Sequence, residues 1–159
     1  MIVMNFKEIF TAGMVLFAVI DIVGSVPIII SLRKKVGHIQ SGKASLVACI
    51  IMISFLFIGE EILGLIGIDV NSFAVAGALV ILFLALEMVL GVSLFKEESP
   101  ASASVVPIAF PLIAGAGTLT SLLSLRAEYE LINIIISIVF NIVIVYAVLK
   151  SSKRIESAL

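Results

Sequence analysis

Long runs of apolar residues divide the chain into five segments, and polar residues collect in the short stretches between them. A helix crosses a bilayer in about 20 predominantly apolar residues, and each run is long enough for one crossing. Strands of a membrane barrel would instead appear as segments of about 10 residues with alternating polarity. The pattern therefore predicts an all-α integral membrane protein with five transmembrane helices in a single domain, residues 1–159. The predicted spans are about 9–32, 44–65, 72–95, 104–125 and 131–149.

Composition supports a lipid environment and narrows the choice of partners. Of the 159 residues, 62% are hydrophobic and 13% are charged, and the mean hydropathy is +1.32. A soluble domain of this size still exposes roughly a third of the area of its unfolded chain, which so few charges cannot cover. The net charge of −1 argues against nucleic acid, because clustered lysine and arginine bind phosphates. The expected partners are the bilayer and a small molecule, with no cofactor, and Cys49 is expected to be a packing residue.

Lysine and arginine fall mainly on one side of the predicted spans. Cytoplasmic loops of membrane proteins collect these residues. If the N-terminus lies outside, eight of the ten basic residues are cytoplasmic and only Lys7 and Arg126 are not. This distribution predicts a multi-pass plasma-membrane protein with its N-terminus outside, its C-terminus in the cytoplasm and its first span retained. The eight cytoplasmic residues are Arg33, Lys34, Lys35, Lys43, Lys96, Lys150, Lys153 and Arg154.

The first span contains a carboxylate, a glycine and a proline within seven residues, at Asp21, Gly24 and Pro27. Asp21 would lie about 18 Å deep at ~1.5 Å per residue. An ionised aspartate at the bilayer centre costs at least ~2.5 kcal/mol, so a polar environment must surround it. We expect the helix to break near Gly24 and a half-helix to start at Ser25, with the serine as its cap and Pro27 in its first turn.

The fourth span also contains residues that are expected to interrupt a helix. Pro111 cannot donate a hydrogen bond to the carbonyl of Pro107, and its ring displaces that carbonyl. Gly115 and Gly117 can adopt backbone angles that other residues avoid, and Thr118 is expected to cap a second half-helix. Non-helical backbone at membrane depth persists only where it is buried in protein or lines a wet cavity. Two such breaks at mid-membrane therefore predict an internal polar site, with plain kinks as the alternative.

Breaks in the first and fourth spans are what an inverted repeat of three helices would place at the membrane midplane. The N-terminus of a half-helix offers unpaired amides and partial positive charge, which suit a carboxylate. Asp21 suits an ammonium group or a coupling cation. The combination favours a zwitterion, namely a small amino acid. The predicted substrate-binding residues are Asp21, Gly24, Ser25, Pro27, Gly115, Gly117, Thr118 and Thr120.

Other polar residues within the spans have simpler explanations. Glu60 and Glu61 are expected at the outer headgroup level. Glu87 either pairs with the basic first loop or lies on a proton path. Asn133 and Asn141 are expected to form hydrogen bonds between helices. We expect no enzymatic activity, because Asp21 and Glu87 would lie at different depths without a nucleophile or a cluster of metal ligands.

These motifs give the sequence a resemblance to the MarC-related family of bacterial and archaeal inner-membrane proteins, also classed as six-helix neutral amino acid transporters. Asp21, Gly24, Ser25 and Pro27 match a polar stretch of the family's first helix. Residues 66–68 and 75–78 are similar to an F-G-I sequence and the glycine-rich helix start that follows it. The most specific match is the stretch V-P-I-A-F-P-L-I-A-G-A-G-T-L-T, residues 106–120.

The resemblance implies transport of small neutral amino acids of the glycine and alanine class, coupled to an ion or to protons, by alternating access. Ile22 and Ala116 stand where the family usually has proline. The family's sixth helix is missing after Leu159, so the inverted repeat is incomplete. The resemblance therefore leaves two expectations open: a transporter completed by another subunit, as in a homo-oligomer, or a shortened membrane protein that interacts with a partner without transporting.

Overall fold

The computed structural model describes residues 4–37, 39–90 and 108–158, and all regular secondary structure in these ranges is helical. A short kinked segment, Ile108–Ile113, precedes the fifth helix. The helices are α1 (Phe6–Ile20), α2 (Val26–Val36), α3 (Ser41–Ile66), α4 (Val70–Leu90), α5 (Ala116–Glu128) and α6 (Leu131–Ala158).

Apolar side chains cover much of the outer surface of the helices, whereas several polar side chains are buried between them. On α6, Phe140 and Val143 are about 60% exposed, while Asn133 and Asn141 on the same helix are buried. This distribution is the reverse of that in a soluble protein, in which buried polar residues are the exception. Within the described ranges, two helices are long and apolar enough to cross a membrane by themselves, Ser41–Ile66 and Leu131–Ser152.

A ladder of hydrogen bonds joins α1 to α6. The donors on α6 are spaced by four residues and therefore lie on one face of the helix, and their acceptors on α1 advance along the chain in the same direction. The two helices are consequently parallel. The pairs are Asn133 Nδ2 with Glu8 Oε2 (2.7 Å), Ser137 Oγ with the Ile9 carbonyl (2.8 Å) and Asn141 Nδ2 with the Gly13 carbonyl (3.0 Å). These contacts confirm the structural role predicted for Asn133 and Asn141.

Helix α2 continues along α6 but does not extend the axis of α1. The buried Arg33 donates from Nη2 to the carbonyl of Leu149 at 3.2 Å and to Ser152 Oγ at 2.9 Å. Asn141, the partner of Gly13, lies 8 to 11 residues before these acceptors, although Gly13 and Arg33 are 20 residues apart. A continuous helix of that length would rise ~30 Å, whereas α6 rises only ~12–17 Å over the matching interval. The chain therefore changes direction between α1 and α2.

The charged residues separate toward the two ends of the bundle. The contacts of Glu8 with Asn133 and of Arg33 with Ser152 place the start of α1 and the end of α2 at opposite ends of α6. Lys7 and Arg126, the two basic residues predicted to be outside, lie toward the Glu8 end. The described acidic residues near that end, all exposed or half-buried, are Glu8, Glu60, Glu61, Asp69, Glu128 and Glu130.

A tight turn joins α3 to α4. Gly67 ends α3 in the left-handed conformation, with φ of 78°. The carboxylate of Asp69 accepts hydrogen bonds from the amide and the hydroxyl of Ser72, and these bonds lower its pKa below the usual value for aspartate. The rings of Phe55 and Phe73 stack at 5.8 Å between centroids. These contacts join the start of α4 to α3, and α5 packs against both helices.

Candidate functional site

The first interruption is a turn over residues 21–25 that Asp21 organises. Asp21 ends α1 in the left-handed conformation, with φ of 42° and ψ of 49°, and its amide donates to the carbonyl of Phe17 at 3.1 Å. Aspartate is among the non-glycine residues that tolerate this region. Its carboxylate is exposed and accepts a hydrogen bond from the amide of Gly24 at 3.2 Å. The break therefore begins at Asp21, three residues before the predicted position.

Gly24 lies directly against this carboxylate. A Cβ atom at residue 24 would lie 2.3 Å from Oδ2 of Asp21, far closer than nonbonded atoms pack. The φ angle of Gly24 is not positive. Its role is thus to leave space for the Asp21 side chain, and not to supply an unusual backbone angle.

The start of α2 differs from the predicted capped N-terminus. Ser25 occupies the capping position and is buried, but its side chain makes no capping hydrogen bond within the described structure. Its amide donates to the carbonyl of Asp21 at 3.0 Å, and the amide of Val26 donates to that of Val23 at 3.2 Å. Pro27 lies in the first turn, as predicted, and has no amide hydrogen. The prediction of unpaired amides at the start of α2 is therefore wrong, because the amides of Ser25 and Val26 already donate hydrogen bonds within the turn.

The second interruption lies around Pro111. Phe110, immediately before this proline, is extended, with φ of −144° and ψ of 126°, because the ring of a proline disfavours a helical residue before it. The amide of Ala114 then reaches back five residues to the carbonyl of Ala109 at 3.0 Å. Pro107, the other proline of the predicted break, lies outside the described residues.

The helix after this interruption begins at Ala116 and not at Thr118 as predicted. Gly115 holds the capping position with φ of −78° and ψ of 175°, which is ordinary extended backbone. The hydroxyl of Thr118 donates to the carbonyl of Ile113 at 2.8 Å, so it ties the kinked segment to the helix and does not cap. The special backbone angles predicted for Gly115 and Gly117 are likewise wrong, since neither has a positive φ.

An open groove of about 320 Å³ runs along α5. We call it the α5 groove. Its walls come from α1, α4 and α5, and two predicted site residues, Gly117 and Thr120, line it. Asp21, Gly24, Ser25 and Pro27 are not among the described residues that form its wall. The lining residues are Val15, Val19, Ala78, Gly117, Thr120, Ser121, Ser124, Leu125 and Glu128.

The polar wall of the α5 groove offers hydrogen-bond acceptors. The hydroxyl of Thr120 donates to the carbonyl of Ala116 at 2.7 Å, and that of Ser121 donates to Gly117 at 2.9 Å. Each hydroxyl oxygen therefore has its proton committed and its lone pairs available. Ser124 and Glu128 are exposed further along the same helix. Ser121, Ser124 and Glu128 were not among the predicted site residues, although successive steps of four, three and four residues from Gly117 place them on one helix face.

Two arginines make matching contacts at opposite ends of the bundle. Arg33, near the end of α2, binds main-chain and hydroxyl oxygens of α6. Arg126, near the end of α5, donates from Nη1 to the carbonyls of Leu56 and Phe57 on α3. The helix that follows each interruption therefore carries an arginine near its end that contacts another helix. Arg33 joins α2 to α6, and Arg126 joins α5 to α3.

Two further expectations concern residues outside these interruptions. Glu87 belongs to α4, but its side chain lies outside the described part of the structure, so its predicted pairing or proton path stays a prediction. In the ranges that the structure describes, no group of three or more histidine, cysteine or acidic side chains is arranged to hold a metal ion. Cys49 is half-buried against the apolar core.

Comparison with known proteins identifies relatives along nearly the whole chain. The MarC family, described as integral membrane proteins, matches residues 6–159. A membrane protein of Buchnera aphidicola from Schizaphis graminum is 36% identical over 72% of this chain and 59% of its own length. Membrane protein YhcE of Escherichia coli K12 is 34% identical over 74% of this chain and 61% of its own. A membrane protein of the archaeon Methanocaldococcus jannaschii is 29% identical over 88% of this chain and 76% of its own.

The chain therefore spans about three fifths of the length of the first two relatives. No solved structure gave a significant match.

Proposed function

The chain belongs to the MarC family of integral membrane proteins, and from this premise we propose that it transports a small neutral amino acid of the glycine and alanine class. Transport would proceed by alternating access around the two interrupted spans, with coupling to an ion or to protons. The N-terminus would lie outside and the C-terminus in the cytoplasm of a bacterium or archaeon.

The observation that carries this proposal is the pair of interruptions, at residues 21–25 and around Phe110. The lipid interior offers no hydrogen-bond partners, so a membrane helix rarely gives up its backbone bonds without an internal polar region. In many transporters, broken helices in corresponding positions of two repeats form the substrate site. Here the interrupted spans are the first and the fourth, as such a pair of repeats requires.

The reciprocal contacts of Arg33 and Arg126 support alternating access. Arg33 holds α2 against α6 at one end of the bundle, and Arg126 holds α5 against α3 at the other. A hydrogen bond to a charged group contributes roughly 1.5–3 kcal/mol, which is strong enough to favour a closed end and weak enough to break during a transport cycle. Opening one end at a time requires two separate contacts of this kind.

The chemistry of the two interruptions supports a zwitterionic substrate. Asp21 presents an exposed carboxylate for an ammonium group. The first-turn amides of α5, beginning at Ala116, have no partners within their own helix and carry the positive end of its dipole. We assign the substrate carboxylate to α5 and not to α2, because the turn at Ser25 already uses its amides. The α5 groove, at about 320 Å³, is large enough to admit a small amino acid.

Uptake by purified protein in liposomes tests the proposal. Radiolabelled glycine and alanine should accumulate faster in liposomes that contain the protein than in protein-free liposomes, and a matched leucine sample should show little uptake. If none of the three amino acids enters while the protein crosslinks specifically to a membrane partner, the proposed transport is wrong and the alternative, a non-transporting interaction protein, is favoured.

A further inference from the structure

We propose that the α5 groove is the access route for the ammonium group of the substrate, with Glu128 as its first contact. The inference rests on the proposed function for the identity of the substrate. The groove's preference for positive charge is a separate property that can be measured without transport. The route would lead from Glu128 past Ser124 and Ser121 to Thr120 and Gly117, so that a substrate entering with its ammonium group first would bring its carboxylate to the first-turn amides of α5.

The geometry of α5 makes this route continuous. Residues 117, 120, 121, 124 and 128 all line the groove and follow one another at helical spacing, so they share one face. The 11 residues from Gly117 to Glu128 correspond to a length of ~16 Å along the helix. That length is about half the thickness of the hydrocarbon core of a bilayer, ~30 Å. The groove would therefore connect the acidic end of the bundle with its middle.

The polar groups of the route favour a cation over an anion. The hydroxyl protons of Thr120 and Ser121 are used by carbonyls of their own helix. Both side chains therefore offer only oxygen lone pairs to a ligand in the groove. An ammonium group, which is a donor without acceptors, complements such a wall, and a carboxylate does not.

The charged residues at the mouth of the groove also favour a cation over an anion. Glu128 lines the groove itself, and Glu8 and Glu130 lie close to one another at the same end, since the amide of Glu130 donates to Glu8 Oε2 at 3.2 Å. Lys7 and Arg126 lie at the same end, but neither lines the groove, and Arg126 is directed to carbonyls of α3. A mouth lined by one sign of charge raises the local concentration of the opposite ion.

The remaining walls restrict what can accompany the ammonium group. Val15 and Val19 of α1 and Ala78 of α4 face the polar stripe of α5 across the groove. These side chains are short and apolar, so this side of the groove offers no side-chain hydrogen bonds and favours an apolar substituent. A substrate with a hydrogen atom or a methyl group as its side chain fits this arrangement.

Cysteine labelling in lipid nanodiscs tests the charge preference. In a Cys49→Ala background, Ser124→Cys would be treated with thiosulfonate reagents that carry either a trimethylammonium or a sulfonate group, and each rate would be divided by that of a free thiol. The cationic reagent should react about five-fold faster or more at low salt, because a nearby carboxylate attracts one reagent and repels the other. Salt at 0.5 M should weaken the preference, since it screens exposed charges.

Two variants control this measurement. Adding Glu128→Gln should remove most of the preference, whereas Glu130→Gln, at a carboxylate outside the groove, should change it much less. Phe140→Cys, on the exposed apolar face of α6, should react slowly with both reagents because it faces lipid. Equal rates for the two reagents at Ser124→Cys, a preference unaffected by Glu128→Gln, or a position 124 as unreactive as position 140 would each overturn the inference.

A transport assay separates failure of the route from failure of the function. If the wild-type protein transports glycine, Glu128→Gln should raise KM about three- to ten-fold with little change in kcat, because it weakens attraction at the mouth. Unchanged KM with measurable wild-type uptake would reject the route alone. If the wild-type protein gives no uptake, the proposed function fails, and the labelling result still decides whether the groove prefers cations.

Discussion

The Cβ atom that Gly24 lacks would lie 2.3 Å from Oδ2 of Asp21. This relationship explains why the two residues occur three positions apart in the first span. The carboxylate folds back over the turn to accept a hydrogen bond from the amide of Gly24, and a Cβ atom at residue 24 would displace it from this position. The same aspartate that is proposed to contact substrate thus also shapes the turn that interrupts the helix.

Replacing Gly24 with alanine should destabilise this turn. The added methyl group must displace the exposed Asp21 carboxylate from its hydrogen bond to the residue 24 amide, and loss of such a bond costs about 0.5–1.5 kcal/mol. Gly13→Ala is a matched control, because a Cβ atom at Gly13 would meet no atom within 4 Å. The free energy of unfolding, measured by titration with a denaturing detergent in mixed micelles, should fall for Gly24→Ala and stay nearly constant for Gly13→Ala. Equal effects of the two changes would contradict the assigned contact.

Asp21→Asn should separate the structural role of this side chain from its charge. An asparagine tolerates the left-handed conformation and can still accept the Gly24 amide through its carbonyl oxygen. We therefore expect Asp21→Asn to keep a far-UV circular dichroism spectrum and a melting temperature close to those of the wild type, and to lose at least ten-fold in glycine uptake. Asp21→Ala should lose both the uptake and part of the stability. Wild-type uptake by Asp21→Asn would remove the carboxylate from the mechanism.

The positions of the interruptions follow from local chemistry, which the sequence displays directly. Pro111 forces its neighbour Phe110 out of the helix, and Pro27 is restricted to the first turn of α2. The polar pairing of Asn141 was also predictable, because a buried amide in an apolar helix needs a partner. These are properties of one residue and its immediate surroundings, so they depend little on the rest of the fold.

Other features depend on packing that no local pattern reveals. Thr118 resembles a helix cap in the sequence, but its hydroxyl instead reaches the Ile113 carbonyl exposed by the kink. Gly24 resembles a residue chosen for backbone freedom, yet the nearby Asp21 side chain determines its identity. Glu128 was overlooked because the charge-free run ends at Leu125, whereas the polar face of α5 continues beyond it.

Asn141→Leu should weaken the α1–α6 interface by a modest amount. The change removes the hydrogen bond to the Gly13 carbonyl but keeps a similar volume. Hydrogen bonds between membrane helices contribute about 0.6–2 kcal/mol. The same detergent titration should detect this loss, while Val143→Ala, at an exposed position of the same helix, should have little effect. A stability of Asn141→Leu equal to that of the wild type would mean that the bond contributes nothing.

Arg33→Lys should loosen α2 selectively. Lysine keeps the positive charge, but its ammonium nitrogen lies one bond nearer the backbone than Nη2, the atom of Arg33 that donates to both the Leu149 carbonyl and Ser152. It also lacks the planar guanidinium group. Loss of a hydrogen bond to a charged group should raise amide hydrogen exchange in α2 about ten-fold or more, as measured by mass spectrometry in nanodiscs. Arg126→Lys provides the reciprocal control, with faster exchange expected in α5 and unchanged exchange in α2. Identical exchange profiles for the two variants would contradict two independent contacts.

The most direct test of the central claim is the initial rate of glycine uptake into liposomes that contain the purified protein. Uptake should be time-dependent, saturable, competed by excess alanine and reduced at least ten-fold by Asp21→Asn. An uptake rate equal to that of protein-free liposomes, from protein whose helical spectrum shows it to be folded, would contradict the claim that the interrupted helices form a transport site.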